Sequence, residues 1–486
     1  MTVGLRLDEA AWGLLHQAIE LYHDNPRVVR QLRHQVARLE QPLRIAVVGP
    51  WRSGKSTVVN ALMGEEVAPV ERAEDVFTWY EDGPAPRATA YPVGQPPQDL
   101  AVVKSANGLR VDLGWGAGDV RDIVVRWPTR ALRQVTLIDT PAVAGGAEQD
   151  RSPVLERVLT DADAVLYLTR DGRDSDLRVL EAGHDGAVGQ SAPVHVIMVL
   201  SRADETGGGR IDGLLTARQL ARRHYRDPRV SALSVNVVAC SAMIGLAGRT
   251  LGESDVAALA ALAQMPRPDL DAHLISADRF LRGELPVRLE AEARAALLGR
   301  LGLFGVRLAA TLVRSGFDSR VTLSAELIRR SGLTELRESI TRCFLDRRDA
   351  LKARAALAAV EALVRAEPTR GSAELAGAVE QILTGAHEFR ELRLLVALRN
   401  TRLGFDAELA AEAQRLVGGD GVGLAARLGV EHEATAQRLW EAASDAQWRW
   451  RDRAEDPLLS LAQRRGAQVV VRSCEGMIAE LAAGGR

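Results

Sequence analysis

The sequence predicts an α/β domain with a mostly parallel sheet, joined to an α-helical bundle to which both ends of the chain contribute. Three observations predict it. Short apolar runs of strand type alternate with helical patterns from Leu43 to about Ala242. From about Gly245 the strand signal gives way to stretches rich in Ala, Leu, Arg and Glu with helical spacing. A glycine-bracketed turn, Gly49 to Thr57, lies between one of the strands and a helix. Strands alternating with helices bury a parallel sheet beneath helices on its faces.

At 486 residues the chain is too long for one ordinary core, and two or three domains are expected. Hydrophobic content of 47% and charged content of 26% describe a folded chain rather than a disordered one. A net charge of −2 offers no global field to recruit nucleic acid, so no nucleic-acid partner is expected. Cys240, Cys343 and Cys474 are scattered without metal-ligand spacing and fit buried thiols in a reducing compartment. Met1 to Glu20 mixes Arg6, Asp8, Glu9 and His16 among its apolar residues and does not read as a signal peptide. No uninterrupted apolar run of about 18 residues is present. The expectation is a cytoplasmic protein whose membrane contact, if it has one, is peripheral.

Residues from about Asp8 to Glu40 read as helix, with Trp12, Leu15, Ile19 and Tyr22 on one stripe and Val29, Leu32, Val36 and Leu39 on the next. Asn25 and Pro26 interrupt them, giving two helices or one kinked helix. Strands are expected at Arg44–Val48, Val135–Ile138, Ala164–Leu168, 194–200 and Ser234–Val238. The segments 76–80 and 87–91 alternate like a hairpin at an antiparallel edge, joined by Glu81 to Pro84. Further on, Leu336, Ile340, Cys343 and Phe344 form one helical stripe, and Ala353, Leu357, Val360 and Val364 continue it. Phe389, Leu392 and Val396 mark another helix, as do Leu439, Ala443 and Ala446. Such a region is most simply a bundle, and the N-terminal helices, lacking partners of their own, complete it. The apolar stretch 297–316 is interrupted by Arg300, Arg307 and Arg314 and reads as a buried helix pair rather than a membrane span.

Gly49 to Ser56 matches G-x-x-x-x-G-K-[ST], with a strand entering it and the apolar helix 58–63 leaving it. Glycines let the backbone wrap a phosphate, and amides at a helix N-terminus supply positive potential. In such a loop Lys55 reaches the β- and γ-phosphates and the Ser56 hydroxyl ligates Mg2+. Trp51, Arg52, Ser53, Gly54 and Thr57 are the neighbouring nucleotide-contacting positions. Asp139 ends the strand 135–138 at the carboxyl edge of the sheet, where open α/β sheets bind ligands, and is the candidate Walker-B carboxylate for Mg2+. GTPases usually follow this strand with Gly; here Ala142 stands there, with Gly145 and Gly146 further on.

Ser201, Arg202 and Asp204 end another apolar strand and resemble the guanine-reading N/T-K-x-D element. A carboxylate at Asp204 can accept from guanine N1 and N2, a donor pair that adenine lacks, while Arg202 lies over the purine. Ser241, after the strand 234–238, sits where the last base-contacting loop belongs. Thr78 is the candidate switch threonine for Mg2+, and Thr89 is its competitor. Arg52 either folds over the γ-phosphate as an arginine finger in cis or remains a surface cation, paired with an acid such as Glu81. These assignments describe an α/β P-loop GTPase domain that takes GTP or GDP with Mg2+.

With these residues in place, the chain resembles the bacterial dynamin-like GTPases, in particular their isoniazid-inducible subfamily. The resemblance runs through VFTWY at 76–80, GPAPR at 83–87, SRAD at 201–204, LGLFGV at 301–306, RSGL at 330–333 and AARLG at 425–429, and so covers nearly the whole chain. It implies N-terminal helices over 1–40 that join a stalk, a GTPase domain over 41–350, and a helical neck and trunk over 351–486. The composition shift at Gly245 would cut the GTPase domain too early. The resemblance also implies self-association across the GTPase faces, membrane remodelling or maintenance at the inner face of the plasma membrane, and a related dynamin-like protein as a further candidate partner. The glycine-rich bend 417–424 is a candidate stalk tip, with Val417, Val422 and Leu424 to insert and Arg415 and Arg427 for anionic headgroups, or else an ordinary loop. The alternative is a regulatory GTPase whose helical part binds protein and has no membrane role.

Overall fold

The structure, a computed structural model, describes residues 7–68, 75–105, 108–111, 119–143, 152–184, 195–399 and 403–484. Eleven strands are described among them: β1 Leu43–Val48, β2 Phe77–Asp82, β3 Arg87–Pro92, β4 Gln98–Leu100, β5 Val102–Ser105, β6 Gly108–Val111, β7 Val120–Trp127, β8 Val135–Asp139, β9 Ala164–Thr169, β10 Val196–Ser201 and β11 Asn236–Cys240. Nine of them form one sheet in the order β11-β10-β9-β1-β8-β2-β7-β3-β4, while β5 and β6 pair separately. From β11 to β8 every pairing is parallel.

The expected hairpin is not formed. β2 and β3 run antiparallel to each other, but β7 lies between them, parallel to β2 and antiparallel to β3. A strand from forty residues later wins the position because Ile123 and Val125 bury completely or nearly so, offering apolar surface that an exposed edge would waste. The edge falls instead on the three-residue β4, which is short in the way edge strands commonly are.

Successive residues of a strand project to opposite faces, and the sheet separates its apolar residues accordingly. Ile45 and Val47 join one core with Leu137, Leu166, Leu168 and Val199. Ala46 and Val48 join the other with Ile138, Val165, Tyr167, Met198 and Leu200. The second core also takes Leu259, Phe280, Phe304, Leu323 and Leu327, from helices that follow residue 250. Thus the chain beyond Gly245 is helical because it covers a sheet face, not because a separate bundle has begun there.

The helix Ala291–Arg314 is the one described helix long and apolar enough to cross a membrane by length and composition, and half of its apolar window is buried. Gly302, with φ 64° and ψ 176°, breaks it into two helical segments, as the helix-pair reading expects. Its arginines meet partners in the protein: Arg300 pairs with Asp255, Arg307 with Asp271 at 2.9 Å, and Arg314 donates to the carbonyls of Ala263 and Met265 at 2.9 Å.

Helices from both ends of the chain pack together. Leu7–Leu21 lies on Arg348–Ala366 and Ser372–Gly385, and Pro26–Glu40 lies on Arg348–Ala366. Asn25 caps the second of these through Val28 N, and Pro26 starts it, which accounts for the interruption in the apolar pattern. A buried ion pair, Arg38 to Asp163 at 2.9 Å, fastens that helix to the strand layer, and Asp163 also accepts from Arg44 N at 2.9 Å. Lys352 donates to the Arg38 carbonyl at 2.7 Å, covering the end of the same helix. The helices Ala436–Glu455 and Leu461–Gly484 form a hairpin, and His387–Arg399 and Ala407–Leu416 pack on its second arm.

The bend 417–424 does not stand at a free tip. Val417 is fully buried, and its carbonyl and that of Gly418 accept from Arg347. Arg415 donates to the Arg427 carbonyl, while Arg427 pairs with Glu391. A Cβ on Gly419 would meet Gln414 at 2.5 Å and Leu395 at 2.9 Å, so the glycine permits a close internal approach. Nearby, Arg399 donates to the carbonyls of Ser234 and Tyr225 at 2.9 and 3.0 Å, tying these helices to the approach to β11. Of the residues offered for lipid, Val417, Arg415 and Arg427 are engaged with the protein itself, Leu424 is partly buried, and Val422 remains exposed.

Candidate functional site

The loop between β1 and the helix Lys55–Met63 is shaped by two glycines with different tasks. Gly54 has φ 88°, a conformation open to glycine, and sits at the N-cap. A Cβ on Gly49 would lie 2.6 Å from the Leu168 carbonyl and 2.8 Å from Ser53 Oγ, so only hydrogen fits there. Lys55 Nζ lies back over the loop and donates to the carbonyls of Gly49 and Pro50 at 3.3 Å each. Ser53 Oγ is buried with no partner among the described residues. Trp51 and Arg52 are exposed, and Thr57 is half-buried.

Ser56 and Asp139 meet beneath this loop. Ser56 Oγ donates to Asp139 Oδ2 at 2.6 Å across 83 residues of sequence. Burial pushes the Asp139 carboxyl up to about 6, against the downward pull of the Ser56 hydroxyl and the Lys55 charge. A buried carboxylate in that condition is relieved by a neighbouring cation. With the orphaned Ser53 hydroxyl and the close-fitting loop backbone, the donor set fits Mg2+ and a phosphate chain.

Thr78 is the second residue of β2, buried, and its hydroxyl donates weakly to the Val76 carbonyl at 3.5 Å. It stands directly opposite Asp139 in the β2–β8 ladder. Thr89 is elsewhere, on β3, donating to Asp99 at 3.0 Å near the far edge. Gly145 and Gly146 lie outside the described residues.

At the other end of the site, β10 and β11 pair so that Ser201 is opposite Cys240. Ser201 is buried and donates to the Thr169 carbonyl at 3.1 Å. Arg202 has φ 52° and pairs with Glu205, and half-buried Asp204 lies in the helical turn Ala203–Gly208. Ser241 caps the helix Ala242–Thr250 through Ile244 N. Among the described residues, Arg52 and Arg202 are the two non-glycine residues with positive φ. Backbone strain of this kind gathers at ligand sites, and here it falls on the two arginines singled out for the γ-phosphate and the base. Arg52 is neither ion-paired nor hydrogen-bonded among the described residues, and Glu81 pairs instead with Arg126 at 3.5 Å.

Two supporting residues escaped sequence reasoning. Asn60, the polar residue in the apolar stretch 58–63, accepts from Val67 N and Ala68 N at 2.9 and 2.7 Å and fixes the chain where it leaves the helix. Gly332, with φ 82°, approaches so closely that a Cβ would lie 2.1 Å from the Ala239 carbonyl, while the Ser331 carbonyl accepts from Ser241 N at 2.8 Å. The RSGL run therefore braces the end of β11. Its glycine was the available signal, but nothing local told what lay against it.

A phosphate loop whose serine meets a strand-end aspartate belongs to the P-loop nucleotide-binding class. No protein-family model matches the chain. The chain is 35% identical over 485 residues to the isoniazid-induced protein IniC of Mycobacterium tuberculosis, in strains CDC 1551 / Oshkosh and H37Rv, covering 97% of this chain and 98% of that one. It is 23% identical over 202 residues to the tRNA modification GTPase MnmE of Halorhodospira halophila, covering 40% of this chain and 32% of that one. Among solved structures, an oligomerised bacterial dynamin pair is similar at 13% identity and a TM-score of 0.31, over 98% of this chain and 74% of that one. The G domain of the T. maritima FeoB iron transporter is similar at 16% identity and a TM-score of 0.21, over 42% of this chain and 89% of that one. The chain belongs to the isoniazid-induced IniC family.

Proposed function

We propose that this protein binds GTP with Mg2+, hydrolyses it to GDP, and couples the cycle to self-association across its GTPase faces and to peripheral work on anionic membrane. The observation that carries the nucleotide reading is the 2.6 Å contact between Ser56 and Asp139 under the phosphate loop. Ser56, Asp139 and Thr78 would hold Mg2+, which when bound offsets charge on the β- and γ-phosphate oxygens. Lys55 exchanges its two long carbonyl contacts for phosphate oxygens. The amides of Gly49 to Thr57 wrap the phosphates, and Arg52, exposed beside them, supplies a planar cation to the charge that builds as the bond breaks. Asp204 and Ser241 read guanine where β10 and β11 end.

On this reading residues 41–350 act as the GTPase domain, and 1–40 with 351–486 form the stalk. The setting is the cytoplasm, against the inner face of the plasma membrane, with a related dynamin-like protein as a further partner. Displacement of a fluorescent guanine nucleotide tests the first part: GTP and GDP displace it with Mg2+ present, and equal displacement by ATP overturns the reading. Sedimentation with anionic liposomes tests the second. Absence of lipid binding in every nucleotide state favours a regulatory GTPase whose helices bind protein.

A further inference from the structure

Away from the nucleotide site, a cavity of about 290 Å³ opens between the first turn of His387–Arg399 and the middle of Leu461–Gly484. His387, Arg390, Arg465, Gln468, Val469 and Arg472 line it. Three guanidiniums and an imidazole share the lining, with no carboxylate among them.

Two carboxylates beside it, Glu391 and Glu475, are already committed. Glu391 is buried behind His387, where it pairs with Arg427 and accepts from Ser473 at 2.6 Å. Burial alone would raise its carboxyl, but His387, Arg427 and Ser473 outweigh that and hold it down to about 2. Glu475 is divided between Arg472 at 3.1 Å and Arg451 at 3.2 Å. Arg390 uses Nε on the Thr384 carbonyl at 3.1 Å. Arg465 has no ion-pair partner among the described residues. His387 is held at the inner wall, its Nε2 3.0 Å from Ser473 Oγ.

We propose that this cavity binds a phosphate-bearing anion, either a small soluble phosphate compound or the phosphate of a lipid headgroup. Guanidinium forks meet phosphate oxygens in pairs, and a bound oxyanion relieves the mutual repulsion of the arginines. The volume lies at the lower limit of ligand pockets and suits a mono- or diphosphate group rather than a nucleotide. Arg390 comes from one helix and Arg465 and Arg472 from the other, so the anion clamps two arms of the helical region together. This site is independent of the GTP reading.

The test uses the full-length protein saturated with GDP, so that the phosphate loop is occupied, at ionic strength held constant with KCl. Pyrophosphate is titrated calorimetrically, and vesicles of phosphatidylcholine with or without phosphatidic acid are sedimented with the protein. The comparison is Arg465→Gln with Arg472→Gln, both at exposed positions, with folding checked by unchanged GDP affinity. Saturable pyrophosphate binding that weakens about tenfold or more in the variant supports the soluble source. Phosphatidic-acid-dependent sedimentation lost in the variant supports the lipid source. Binding of both probes that is absent in the wild type, or identical in wild type and variant, overturns the site.

Discussion

Thr78 and Asp139 stand directly opposite one another on antiparallel strands β2 and β8. Directly opposed residues of an antiparallel pair project from the same face of the sheet, so the threonine shares a face with the carboxylate that meets Ser56. Thr78→Val keeps the buried volume and removes the hydroxyl. The expected result is a folded protein whose Mg2+-dependent GTP binding falls about tenfold. Thr89→Val, at the far edge, leaves binding unchanged. Equal effects in a fluorescence titration would show that Thr78 is a strand residue and nothing more.

Arg52 carries a backbone conformation that costs a side-chain-bearing residue about 1 kcal/mol. Arg52→Gly relieves that cost and Arg52→Ala does not, so their melting temperatures differ. Both variants lack the guanidinium, and both are expected to lose about 10² in turnover while GTP affinity stays within several-fold. Arg52→Lys recovers part, because an ammonium lacks the planar fork. Single-turnover rates that follow stability rather than the presence of the cation would remove Arg52 from the chemistry.

Asp204→Asn is expected to weaken GTP and to improve xanthosine triphosphate, whose added carbonyl matches the amide donor. Competition titrations with the two triphosphates read this directly. Unchanged preference would mean that the turn Ala203–Gly208 does not face the base.

Gly332→Ala places a methyl carbon 2.1 Å from the Ala239 carbonyl at a backbone φ of 82°. The atoms it would meet, in Ala239 and Cys240, are backbone, so the end of β11 must shift, with an expected loss of about 3 kcal/mol or more in chemical denaturation. Nucleotide affinity should fall too, since Ser241 N hangs on the Ser331 carbonyl next door. A variant of wild-type stability would contradict the packing described.

How much of this was legible follows the range of each signal. The phosphate loop was legible because its spacing is local, and so were the apolar strands, whose burial shows in their composition. β7 was missed: its pairing partners Phe77 and Arg87 are more than 30 residues away, and no local pattern says which strand will intervene. The bend 417–424 stayed open between a stalk tip and an ordinary loop because glycines and arginines show no partners in sequence. Arg347 and Glu391, which engage it, are distant in sequence. The Ser56–Asp139 contact needed only that two strand ends be neighbours, which the parallel sheet supplied.

Glu391, with its carboxyl held down to about 2 against an ordinary 4.5, stabilises the fold above the ordinary value. That contribution is lost as pH falls from about 4.5 through 2. Glu391→Gln is therefore expected to lower stability at neutral pH by on the order of 2 kcal/mol and to flatten the acid limb of a denaturation profile. A variant whose acid limb parallels the wild type would show that other carboxylates dominate there.

The hydroxyl of Tyr22 donates to the Glu367 carbonyl at 2.7 Å, across 345 residues of sequence. A ribosome adding about 5–20 residues per second needs roughly 20 to 70 s to make the intervening chain. Throughout that interval the first two helices have emerged with Leu14, Leu15, Val28 and Leu32 lacking the partners that later bury them. During synthesis these helices thus present a sticky amphipathic surface before the matching one exists. The pace of translation up to the helices Arg348–Ala366 and Ser372–Gly385 sets how long that surface stays uncovered.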